Sequence, residues 1–134
     1  MAIVNDEDGI EVRILCDGQS LHEYDDPDLE KIPSTTTRFV VAETGRAFVV
    51  RCTVKTGVRF RGNAIVCEVF MDGRKVAGTL INDADCERED CVRDIIGART
   101  SPTTKRPFLF SDLLISECVI VRDRAFDVLT QNVP

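Results

Sequence analysis

The side chains that would do chemistry in this chain are few, and their spacing sorts the reaction classes. His22 is the only histidine, so any Ser-His-Asp or Cys-His mechanism must run through it. It stands between Leu21 and Glu23 among acids, and no Gly-x-Ser-x-Gly elbow occurs in the chain. A hydrolase built on His22 is therefore the weakest reading, and no catalytic residue is assigned. Cys86 and Cys91 enclose Glu87, Glu89 and Asp90, a mixture of soft and hard ligands. Structural zinc takes four N/S ligands in paired short spacings, and no second pair follows at a fitting distance. Asn82–Glu87 begins as a calcium loop would and then lacks the glycine that such a loop needs at its turn. Neither a metal nor a cofactor is expected. Asp25, Asp26 and Asp28 supply carboxylates with no group placed opposite them, and Asp and Pro together are ordinary turn chemistry.

Binding chemistry has better carriers. In KTGVRFRGNA, Phe60 lies between Arg59 and Arg61, and a ring flanked by guanidinium groups stacks well on a base or an aromatic partner. RTSPTTKRP supplies a second basic segment, read as a loop, with Arg99, Lys105 and Arg106; its Ser101-Pro102 reads as a plain turn. These six residues are the candidate binding residues. Thirteen of the 17 basic residues are Arg, which favours planar, bidentate contacts over point charges. With no Trp and one Tyr, the chain is poorly equipped as a platform for sugars or single strands. The charge is also uneven. Residues 1–30 hold ten acids and one base, net −9, while the remainder carries +3, for −6 in all. Such a dipole suits a charged partner, but phosphate would meet a strongly acidic lobe, so a nucleic acid is not expected. A protein partner met through a β-surface is the favoured reading.

The elements that must position these residues are strands. In GIEVRILCDGQSLHEY, apolar and polar residues alternate up to Asp17-Gly18, a pair suited to a type I′ hairpin turn. The polar segment DDPDLEKIPSTTT reads as a loop. Strands over residues 37–43 and 47–55 follow, joined at Thr44-Gly45; in the second, Phe48, Val50, Cys52 and Val54 point one way. A second Asp-Gly hairpin is expected at Asp72-Gly73, between residues 64–71 and 74–81. NDADCERED reads as a solvated loop, CVRDIIGA as a further run, and FLFSDLLISECVIV as a late strand. About eight short strands with turn signals every 8–12 residues predict an all-β fold, an antiparallel β-sandwich of jelly-roll or immunoglobulin-like type.

A chain of 134 residues fits a single domain, here 1–134 with a flexible tail over 123–134. No apolar run reaches the roughly 18 residues of a spanning helix, and the acidic start lacks the basic flank of a signal peptide. No membrane role is expected, and the compartment is read as cytoplasmic or nuclear. The six cysteines, Cys16, Cys52, Cys67, Cys86, Cys91 and Cys118, form no CxxC pair and are expected to be reduced core fillers.

The pieces GIEVRILCDGQSLHEYDDPD, TTTRFVVAETGRAFVVRCTV, EVFMDGRKVAGTLI and GARTSPTTKRPFLFSDLLI together resemble a family of uncharacterised domains abundant in filamentous fungi and mushrooms. The resemblance implies a small intracellular β-sandwich domain and carries over no catalytic residue. Pattern, charge and resemblance lead to one expectation: a non-enzymatic interaction or assembly module of a fungal cell, with homo-oligomerisation through open sheet edges as one form of assembly. The alternative is a β-sandwich that binds a small molecule or carbohydrate.

Overall fold

The computed structural model describes residues 2–3, 9–32, 35–60 and 62–111. Among them the chain is all-β and antiparallel, without an α-helix, and its strands do not close into a barrel. No helix there is long and apolar enough to cross a membrane. Arg61, Cys118, residues 112–121 of the late strand and the expected tail 123–134 lie outside the described residues.

Strand β6 (Ala47–Val54) organises the main sheet. Its alternation is the one read from sequence: Phe48, Val50, Cys52 and Val54 are buried, and the residues between them stand at the surface or half-buried. One edge of β6 pairs with β2 (Ile10–Cys16), from Ile10↔Val54 to Leu15↔Val49. The far edge of β2 carries β1 (Ala2–Ile3) and β3 (Gln19–Ser20). The other edge of β6 is shared. Val50–Val54 pair with β9 (Cys91–Ile95), and Ala47–Phe48 pair with β11 (Lys105–Leu109). Beyond β11 lies β10 (Gly97–Arg99), completing seven strands. Two two-stranded units stand apart: β4 (Glu23–Tyr24) with β5 (Phe39–Val40), and the hairpin β7 (Ala64–Met71) with β8 (Arg74–Asn82).

The hairpin completes the core. Ile65, Cys67 and Val69 from β7 and Ile81 from β8 join Ile10, Val12, Val50, Cys52 and Val54 in one buried cluster. Cys52 and Ile81 are fully buried. At roughly 25 cal/mol per Å² of apolar surface removed from water, this shared burial is the main term holding hairpin and sheet together.

Both Asp-Gly pairs turn as the sequence predicts. Asp17 and Gly18 have φ of 50° and 76°, and Asp72 and Gly73 have φ of 50° and 74°, the left-handed values a type I′ turn requires. Other expectations need correction. The segment over residues 37–43 does not form a hairpin with β6. It narrows to β5 and pairs with β4, because both edges of β6 are already taken by β2, β9 and β11. The N–H of Gly45 instead donates to the carbonyl of Phe110 at 2.6 Å. The expected loop over 99–107 is a turn only over residues 100–104: Arg99 ends β10, while Lys105, Arg106 and Pro107 begin β11. The solvated loop expected after Ile81 contains a 3-10 turn, Asp83–Cys86.

Phe48 stacks on Phe108 at 5.4 Å and on Phe110 at 4.4 Å between ring centroids, fastening β11 to β6. Gly97 sits opposite Pro107, and a methyl added there would collide with the Arg106 carbonyl and lie 3.0 Å from Cα of Pro107. Backbone atoms cannot rotate away as side-chain atoms can. Gly97→Ala should therefore cost about 1–3 kcal/mol, the usual range for overpacking, read as a lower urea midpoint. A midpoint unchanged from the parent chain would show that β10 and β11 are not packed this tightly.

Candidate functional site

Where the hairpin meets the main sheet, three strand edges are left unpaired among the described residues. β8 bonds only to β7, β9 only to β6 and β10 only to β11, and β8 touches both β9 and β10. Between them runs a groove of about 690 Å³. One wall is β8 from Lys75 to Leu80; the other is Asp94, Ile95, Gly97 and Arg99, with Lys105 beyond. Val66 and Leu80 are register partners on one face of the hairpin and give the groove apolar surface, Leu80 being half exposed. A β-bulge after Val69 skips Val76, which also lines the groove. Bulges kink and twist the strand they occupy, which helps explain why β8 continues no ladder to β10.

Four charged side chains stand along the groove, and two are already engaged. Lys75 pairs with Glu68, whose side chain is nearly buried. Asp94 accepts from Nε and one terminal nitrogen of Arg51, both at 2.7 Å, across the β6–β9 register. Arg51 also faces Arg13 across the β2–β6 register, so Asp94 relieves a like-charge pair. Arg99 and Lys105 are exposed, face each other across the β10–β11 register, and form no ion pair among the described residues.

The sequence-predicted residues thus separate. Arg99 and Lys105 come together at the groove. Arg106 pairs with Ala98 in the register and so falls on the other face of that hairpin. Arg59 is exposed on the segment after β6, while Phe60 is half-buried and packs against the core, which withdraws part of its ring from any stacking partner. That segment is held by Asp90, which accepts from the Thr56 N–H at 2.9 Å and pairs with Lys55 at 3.3 Å. The Thr56 N–H, followed by the Lys55 ammonium, holds the Asp90 carboxyl below its ordinary value. Val66, Val76 and Leu80 were not singled out from sequence; the only available signal was Leu80 alternating outward near the end of β8 away from the Asp72-Gly73 turn.

His22 is exposed and meets the Tyr24 ring edge-on at 4.5 Å. Among the described residues no three His, Cys, Asp or Glu side chains converge as metal ligands would. The five described cysteines are free and buried. A hydrogen bond that the Cys67 thiol makes to Cys52 as donor, together with burial, raises the Cys67 thiol well above its usual value. Burial, with Cys91 alongside, pushes the Cys86 thiol up to about 11.

Residues 9–125 match the family model described as a domain of unknown function, DUF7918. The chain belongs to the DUF7918 family. No curated protein and no solved structure matches it. The matched span of the DUF7918 domain takes in strands β2 to β11, and so both walls of the groove.

Two outcomes follow for the DUF7918 domain. Arg51 holds the Asp94 carboxyl below its ordinary value. A carboxyl lowered by folding stabilises above its unfolded pKa of about 3.9 and loses that contribution as pH falls through the folded value. Asp94→Asn should therefore flatten the fall in stability between about pH 5 and pH 2, by no more than about 1 kcal/mol for so exposed a pair. An acid limb identical to that of the parent would show the pair to be inert. The thiols give the second outcome, because buried cysteines are out of a reagent's reach and react slowly. With a maleimide at neutral pH, Cys16, Cys52, Cys67, Cys86 and Cys91 should be labelled only in denaturant, as read by peptide mass mapping. Native labelling of Cys52 or Cys67 would contradict the shared core.

Proposed function

We propose that this chain is a non-enzymatic interaction module that binds another protein by taking an extended segment into the groove between β8 and β10. One observation carries the reading: strand edges unpaired among the described residues flank a groove with apolar side chains on its surface. An open edge presents unsatisfied N–H and C=O groups, and a peptide added as a strand to one of these edges satisfies that edge while its alternate side chains fill pockets. The groove's volume is within the roughly 300–1,000 Å³ typical of ligand sites. In architecture we read a β-sandwich of about eight strands, with the β7–β8 hairpin as the second layer; the shared core supports this. We place the module inside a fungal cell. The free, buried thiols support a reducing compartment, and the resemblance of the quoted sequence pieces supports the source.

Panning a displayed library of random peptides, about ten residues long to match a strand-addition site, tests the reading. Sequences with apolar residues at alternate positions should be enriched. Leu80→Gln, which removes exposed apolar surface from the groove without touching the core, should weaken their binding about tenfold, the equivalent of 1.4 kcal/mol. No enrichment, or enrichment indifferent to Leu80→Gln, would overturn the proposal.

A further inference from the structure

We propose that the segment received by the groove is acidic, with a carboxylate that pairs with Arg99 and Lys105. This deepens the strand-docking reading and rests on it. Of the four charged residues along the groove, Lys75 is held by Glu68 and Asp94 by Arg51. Arg99 and Lys105 are left as two exposed cations directly opposite one another, without an anion among the described residues. Like charges in that position repel and cost stability, and an incoming carboxylate converts the repulsion into attraction. Both remain in contact with water, so binding them carries little of the desolvation penalty that burdens buried pairs.

The extended form of the partner follows from the walls. Along a strand, residues i and i+2 point the same way, about 6.8 Å apart. Arg99 and Lys105 stand side by side across the β10–β11 ladder, so one carboxylate of the segment meets both cations while its neighbouring residue turns to the apolar surface of Val66 and Leu80. Among the described residues no aromatic side chain lines the groove, so these walls lack the stacking surface that single-stranded nucleic acids use. Among the described residues, the acidic stretches of a second copy are poor sources for the strand: Asp25–Glu30 turns back on itself, with the Asp28 N–H on the Asp26 side chain at 2.9 Å and the Leu29 N–H on the Asp26 carbonyl at 3.2 Å, and Asp83–Cys86 is a 3-10 turn. A foreign protein bearing an acidic, extended segment is the partner that fits.

Three synthetic peptides of one length test this by fluorescence anisotropy: Val alternating with Glu, with Gln, or with Lys. The Glu peptide should bind at least about tenfold more tightly than the Gln peptide at low salt, and the advantage should shrink near 1 M salt, where the screening length falls to roughly 3 Å. The double variant Arg99→Glu, Lys105→Glu should reverse the order and favour the Lys peptide; both positions are exposed, and circular dichroism confirms that the variant is folded. Equal binding of the Glu and Gln peptides would overturn the acidic preference while leaving strand docking intact. Failure of all three peptides would overturn both readings. Tighter binding of a single-stranded oligonucleotide of matched charge, lost in the same variant, would overturn the proposal in favour of a phosphate site. A native mass of twice 14.9 kDa that drops to the monomer in the variant would overturn the choice of a foreign partner.

Discussion

The structure depends on one strand that is bonded along both edges while its alternate side chains are packed inside. β6 takes β2 on one side and β9 with β11 on the other, and its Phe48, Val50, Cys52 and Val54 reach the core. With its edges taken and one row of side chains buried, β6 has one register open to it. A slip by a single residue would turn that buried row to solvent and expose Arg51 to the core. The strands that line the groove inherit their positions from this register, β9 and β11 directly and β10 through β11.

The hairpin of β7 and β8 is fixed differently, by packing and not by a ladder. Its buried residues meet those of the main sheet in one cluster, and hydrophobic burial is not directional. Burial sets how close the hairpin lies without dictating that backbone edges join. That is why β8 and β10 approach, touch and still leave a groove. The bulge after Val69 adds to the mismatch. The groove is what remains when a directional sheet and a non-directional core meet at one seam.

Much of the local structure is legible in the residues. Asp17-Gly18 and Asp72-Gly73 announce hairpins because few residue types tolerate left-handed backbone, and both adopt it. The alternation of residues 48–54 is plain because a strand with one buried face writes its period into the chain. What could not be read is pairing between distant segments. Nothing local to Phe39 shows that it bonds to Tyr24 and not to β6. Pro107 suggested a loop, since proline donates no hydrogen bond, yet it is accommodated opposite Gly97. The basic residues were identified by type and sorted only by register. Arg99 and Lys105 fall opposite one another, Arg106 turns away, and Phe60 goes towards the core.

The division of one edge of β6 between two strands has a mechanical consequence. β9 is held to β6 over five paired positions, whereas the β10–β11 hairpin is joined at only two, Phe108↔Phe48 and Leu109↔Ala47, reinforced by stacked phenyl rings. Elements with few ladder bonds open at lower free energy than the global transition. The wall that bears the two cations is therefore a cantilever, anchored at its aromatic root and compliant at its tip. Its stiffness is set by the fit of three phenylalanines that no ligand in the groove would touch, so substitutions at that root would tune affinity through the energy of bending the wall.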